Sequence, residues 1–187
     1  MITRRNFVTA AAATAAVSAL PAPALAFAVE PIYLPQTVAI KKDLAPNQIL
    51  ILTRAHFLYL VEAPGQARRY GVGLGKAGQA ISGTYDVGGK KKWPTWRPTD
   101  AMIEREPAAY SKFIDNDYVQ PGGPGNPLGA RALYLYRNGR YTFNAIHGTT
   151  APKSIGRSVS NGCVRMINDH VIDLYERVQP GTKVTVL

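Results

Sequence analysis

A mainly β domain with a few short helices is what this sequence predicts, on three observations. Short apolar runs recur along the chain, several of them alternating with polar or small residues, and Gly/Pro turn signals separate them. One pair of runs is joined by Asn138-Gly139, which suits a two-residue hairpin because both positions take positive φ. Only one stretch, residues 169–178, carries apolar residues at helical spacing over any length.

The first residues read as an address rather than as structure. Thr3-Arg4-Arg5-Asn6-Phe7-Val8 is a twin-arginine n-region, an Ala-rich uncharged run follows, and Ala24-Leu25-Ala26 offers small residues at a cleavage site. Residues 1–26 are therefore expected to be a twin-arginine signal peptide, which places the protein in the periplasm. The alternative is an N-terminal membrane anchor, but the run is short and weakly apolar against the ~20 residues a span needs. Residues 27–47 are Pro-rich and without period, and read as an N-terminal arm.

Strand signals begin at Gln48. Ile49-Leu50-Ile51-Leu52 and His56-Phe57-Leu58-Tyr59-Leu60-Val61 are apolar runs, and Pro64-Gly65 turns the chain into the alternating residues 68–75. Tyr85 and Val87 suggest a further strand that ends at Gly88-Gly89. Residues 90–129 differ: they hold both tryptophans, a short helix capped by Thr99 or Asp100, a second helical turn at 108–114 and the Pro/Gly-rich residues 120–127. Insertions of this length are usually lids or binding loops. Residues 132–136 and 141–146 flank Asn138-Gly139 as the clearest hairpin, which leaves His147 at a strand end. Asn168 can cap the helix over 169–178, Pro180-Gly181 stops it, and residues 183–187 form a closing strand. Residues 48–187 thus make one domain, with no internal repeat.

The chain carries a formal net charge of +10, which favours polyanionic partners such as a membrane surface or a cell-wall glycopeptide. Nucleic acid is improbable for an exported protein whose basic residues are scattered. Cys163 is the single cysteine. In an oxidising compartment cysteines usually pair, so a lone one is a bridge to another chain, an inert buried residue or a reactive thiol. A free thiol is only about 3% thiolate at neutral pH, so catalysis needs a base, and His147 is the candidate. In extended chain Cys163 and Arg165 point the same way, and Gly162 lets backbone approach a substrate. His56 and His170 read as structural, and the spacing of one cysteine and three histidines matches no familiar metal site. Histidine precedes cysteine, unlike papain-like enzymes, and at a shorter gap than in sortases.

Ile146-His147-Gly148-Thr149 followed by Ser160-Asn161-Gly162-Cys163-Val164-Arg165-Met166 resembles the signature of the L,D-transpeptidase catalytic domain, or YkuD domain. The likeness extends to Gly83-Thr84-Tyr85, to residues 126–133 and to the stretch from Asn168-Asp169 to Pro180-Gly181-Thr182. It implies a β-sandwich-like barrel with the cysteine under a lid at about 90–129. It also implies a reaction: Cys163 attacks the carbonyl of the third residue of a peptidoglycan stem peptide and releases terminal D-alanine. The thioester then passes to an amine on a second stem or on a lipoprotein. By the same resemblance His147 is base and acid, Gly148, Ser160, Asn161 and Gly162 line the site, Arg165 anchors substrate, and carbapenems acylate the thiol. No cofactor and no metal are expected, and a monomer is. Many members carry histidine where this chain has Asn161, so the base role falls to His147. The alternatives are an L,D-carboxypeptidase or cross-link hydrolase working through the same thioester, and a non-catalytic wall-binding module.

Overall fold

The computed structural model describes residues 29–187; the expected signal peptide and its cleavage site lie outside the described residues. Eleven strands are present among them: β1 Gln36–Ala39, β2 Gln48–Leu52, β3 Phe57–Ala63, β4 Gln66–Gly71, β5 Leu74–Gly75, β6 Gly83–Lys92, β7 Arg131–Arg137, β8 Arg140–His147, β9 Ser158–Ser160, β10 Val164–Arg165 and β11 Lys183–Val186. Two α-helices accompany them, α1 Asp100–Arg105 and α2 Asn168–Arg177. The fold is mainly β, as the short apolar runs require.

Nine strands form one sheet in the order β1-β4-β3-β2-β11-β6-β7-β8-β10. The last strand in sequence, β11, sits in its middle, parallel to β2 and antiparallel to β6. The sheet curls until its far edge meets the chain that leaves β4. Gly73 and Arg165 exchange two backbone hydrogen bonds there, at 2.9 and 2.8 Å. Closure of this kind removes an exposed edge and puts the inward side chains of distant strands into one core. Ile49 and Ile51 of β2, Leu58 of β3, Leu133 and Leu135 of β7 and Val184 of β11 are fully buried in it. Val171 and Leu174 of α2 complete the core, one turn apart on the face the helix turns inward.

Four local expectations change. The arm is not featureless: Gln36–Ala39 adds an edge strand to β4, which residues without alternation do not announce. The strand expected to end at Gly88-Gly89 runs on to Lys92, because a register shift between Val87 and Gly89 absorbs the irregularity and pairs Lys90, Lys91 and Lys92 with β7. The insertion therefore begins at Trp93, whose N–H bonds the Ala130 carbonyl at 2.9 Å and closes its base. Within it Thr99 caps α1 through the Met102 N–H, but the second helical turn shrinks to Ser111–Phe113. Lastly, Asn168 is the first residue of α2 rather than its cap, and its side chain is engaged elsewhere: Oδ1 accepts from the Ala130 N–H at 3.0 Å.

The insertion has its own small core. Trp96 meets Phe113 edge-on at 5.2 Å and Phe113 packs on Tyr118 at 5.5 Å. Arg97 donates to the carbonyls of Phe113 and Tyr118, and buried Asn126 ties the Pro/Gly-rich stretch through the carbonyls of Gln120 and Pro121. Turn residues are thus held by side-chain hydrogen bonds where no ladder exists.

Candidate active site

A cavity of about 800 Å³ opens between the insertion and the strands β8 and β10. His147, Asn161, Cys163 and Arg165 line it together with Trp96, Met102 and Arg105 from the insertion. The sequence separates His147 from Cys163, and parallel pairing brings them back: Val164 lies beside Ile146 and Arg165 beside His147. The Met166 N–H donates to the His147 carbonyl at 2.8 Å, which fixes that register. Cys163 is partly exposed to the cavity.

Expected site residues divide into those that face the cavity and those that hold it. Ser160, buried, donates from Oγ to the Cys163 carbonyl at 2.6 Å and accepts from the Gly162 N–H at 3.3 Å. Gly162 takes φ +123°, and a Cβ there would stand 2.6 Å from the Asn144 side-chain oxygen. Gly148 packs against Asn168, where a Cβ would stand 2.1 Å from Oδ1. Gly148, Ser160 and Gly162 are therefore behind the wall they were expected to line, because each is needed to shape the backbone that carries His147 or Cys163. Asn161 does face the cavity, and it is tied to the insertion: Arg105 donates to its Oδ1 at 3.0 Å, and its Nδ2 donates to the Tyr110 hydroxyl at 3.4 Å. His56 pairs with Ser158, and His170 is buried on α2; neither lines the cavity.

The electrostatics favour a neutral pair. His147 is 4% exposed, and burial pushes its pKa down to about 4; the charge of Arg165 also lowers it, against the carbonyls of Gly148 and Leu128. A carbonyl can only accept, so Nδ1 carries the proton and donates to the Gly148 carbonyl at 2.5 Å, and in the neutral ring Nε2 keeps its lone pair. Burial also pushes the Cys163 thiol up, while the Ala145 N–H and Arg165 favour the thiolate less strongly. At neutral pH the site is thus thiol plus imidazole, not thiolate plus imidazolium. Alkylation of Cys163 by iodoacetamide is accordingly expected to be slow at pH 7 and to rise as pH passes 9. A rate already on a plateau between pH 5 and 7 would mean an ion pair.

Among the described residues no aspartate or glutamate lines the cavity, whereas Arg97, Arg105 and Arg165 do. Arg97 is spent on carbonyls of the insertion and Arg105 on Asn161 and Glu106. Among the described arginines of the cavity, Arg165 has no such hydrogen-bond or ion-pair partner. Sequence reasoning missed Arg105 and Tyr110, and it read Asn168 as a helix cap rather than as the acceptor of the Ala130 N–H; these contacts all join residues far apart in the chain. It also missed Phe143, a non-glycine residue at φ +60° whose carbonyl oxygen lies 4.0 Å from the Cys163 sulfur. Backbone held in that region is often found at functional sites.

Comparison with known proteins agrees with this geometry. The L,D-transpeptidase catalytic domain (YkuD) family matches residues 46–186. "Probable L,D-transpeptidase YbiS" of Escherichia coli K12 is 42% identical over 115 residues, 60% of this chain and 35% of its own length. The chain thus spans about a third of that relative. A crystal structure from Brucella melitensis, described as a probable carnitine operon oxidoreductase, is 48% identical with a TM-score of 0.57, covering 85% of this chain and 96% of that one. L,D-transpeptidase 3 from Mycobacterium tuberculosis, in complex with a faropenem-derived adduct, shares the fold at 17% identity and a TM-score of 0.52, covering 74% of this chain and 58% of that one. A family match over three quarters of the chain, on a fold whose histidine and cysteine face one cavity, places this chain in the L,D-transpeptidase catalytic domain (YkuD) family.

Proposed function

We propose that the protein is a cysteine L,D-transpeptidase acting on peptidoglycan stem peptides outside the cytoplasm, to which the N-terminal twin-arginine sequence would direct it. The observation that carries this reading is that parallel strands set His147 and Cys163 on one cavity, with Nδ1 of the histidine tied back and Nε2 free. A thiol with a raised pKa needs its proton removed as it attacks. Nε2 takes that proton while Sγ bonds to the carbonyl carbon of the third stem residue. The developing oxyanion is met by backbone N–H groups of the cysteine loop, held in shape by Ser160 and Gly162. Collapse breaks the C–N bond, and Nε2 returns the proton to the departing D-alanine amine. The thioester is then attacked by an amine of a second stem or a lipoprotein. Nε2 accepts that amine's proton and hands it to the sulfur, which restores the thiol. Arg165 supplies the charge for a substrate carboxylate. A carbapenem would acylate the same thiol, in keeping with the penem-derived adduct of the mycobacterial neighbour.

The oxidoreductase description of the Brucella chain is not carried over. Gly73, Gly75 and Gly78 do have the spacing of a dinucleotide fingerprint. Here, however, they run from β5 through a turn into β6, without the helix N-terminus that would hold a pyrophosphate. A Cβ at Gly73 would stand 2.5 Å from the Ser154 carbonyl oxygen, so packing accounts for that glycine.

The test is product mass. With purified disaccharide-tetrapeptide the protein should release D-alanine and form cross-linked dimers. Tripeptide alone would assign the thioester to water and make the enzyme a carboxypeptidase; no turnover would leave a binding module.

A further inference from the structure

Part of the cavity wall is an aromatic surface that the proposed chemistry does not use, to which Tyr134, Tyr141 and Phe143 contribute. Phe143 is 70% exposed and Tyr141 37%. Their ring centroids are 5.1 Å apart, and Tyr141 also meets Tyr134 at 5.6 Å and Tyr136 at 5.5 Å. The row adjoins the nucleophile: Tyr134, Tyr141 and Phe143 line the same cavity as Cys163, and the Phe143 backbone carbonyl oxygen is 4.0 Å from the cysteine sulfur. Phe143 is presented by costly backbone: it sits at φ +60° where the β7–β8 register shifts between Tyr134 and Tyr136. An exposed phenylalanine held out by strained backbone at the mouth of a reactive cavity calls for a ligand.

We propose that this row is a saccharide subsite, stacking against a pyranose of the glycan that carries the donor stem peptide; the proposal rests on the transpeptidase reading above. Three features favour a sugar. A pyranose presents a face of weakly positive C–H groups, which suits the negative face of an aromatic ring. Three of the four rings are tyrosines, whose hydroxyls can exchange hydrogen bonds with sugar hydroxyls. The reach also fits. Three stem residues span about 10 Å of extended chain, and the row runs from Phe143 through Tyr141 to Tyr136 in two intervals of 5.1 and 5.5 Å, a matching length. A second copy of the chain is a poorer occupant. Four partly covered rings offer well under the ~800 Å² per partner of a stable interface.

The experiment compares D-alanine release from disaccharide-tetrapeptide with release from the same tetrapeptide without sugar. The wild type should prefer the glycosylated donor about five- to tenfold in kcat/KM, mainly through KM. Phe143→Ser should lose that preference and Phe143→Trp should keep it. A wild type without preference, or a Phe143→Ser variant that retains it, overturns the subsite. Release from neither donor contradicts the transpeptidase reading instead. The subsite is then decided by saturation-transfer NMR of peptide-free disaccharide on Cys163→Ala. Transfer that disappears in the Cys163→Ala/Phe143→Ser double variant supports it, and unchanged or absent transfer overturns it. Concentration-dependent dimerisation abolished by Phe143→Ser would assign the surface to a second copy and overturn the proposal.

Discussion

Replacing His147 by alanine is expected to slow acylation of Cys163 by about 10²- to 10⁴-fold, the range a positioned general base contributes. Burial keeps the imidazole neutral down to about pH 4 and keeps the thiol protonated at pH 7. Without His147 the thiol must lose its proton to solvent before it attacks. The pH profile should change with the rate. Wild-type acylation should fall only as pH drops toward 4, where the imidazole takes its proton. In the variant the rate should climb with pH as hydroxide generates thiolate. The variant should still fold, since the strand pairing of His147 is made by backbone, and a thermal melt would check this. Wild-type acylation by the variant at pH 7 would move the base to another group.

Gly162→Ala is expected to cost about 10²-fold in acylation, through geometry rather than chemistry. The residue occupies φ +123°, and its added Cβ would press to 2.6 Å from the Asn144 oxygen. The cysteine loop can relieve both only by moving, and Ser160 holds it from the other side through the Cys163 carbonyl. A shift of about 1 Å in the nucleophile is enough for a loss of that size. Stopped-flow acylation by a carbapenem measures it; a rate within twofold of wild type would show that the loop tolerates a left-handed alanine.

What the sequence shows and what it hides follow from where the partners lie. The hairpin around Asn138-Gly139 is legible because its signal is local, and both residues do take positive φ, +52° and +75°. The helix over α2 is legible from the spacing of Val171, Leu174 and Val178. Gln36–Ala39 is not, since an exposed edge strand has no core face to impose alternation. Lys90, Lys91 and Lys92 lie beyond the strand end expected at Gly88-Gly89, yet they pair with β7 because sheet pairing needs backbone and not apolar side chains. At the site, His147, Cys163 and Arg165 are legible by residue type and motif. The contacts Arg105–Asn161 and Asn168–Ala130 are not, because only the folded insertion brings those residues together.

These contacts also recast Asn161. The side chain serves as a tether between the cysteine loop and α1 of the insertion, a task in keeping with the proposal that His147 handles the proton.

The central claim is that Cys163 carries the acyl group between donor and acceptor. Intact-protein mass spectrometry on wild type and Cys163→Ala, each quenched in acid after brief exposure to disaccharide-tetrapeptide, tests it most directly. The wild type should show an adduct equal to the donor less D-alanine, located on Cys163 by peptide mapping, lost on addition of an acceptor amine and absent from the variant. An adduct on another residue, or D-alanine release that persists in Cys163→Ala, would contradict it.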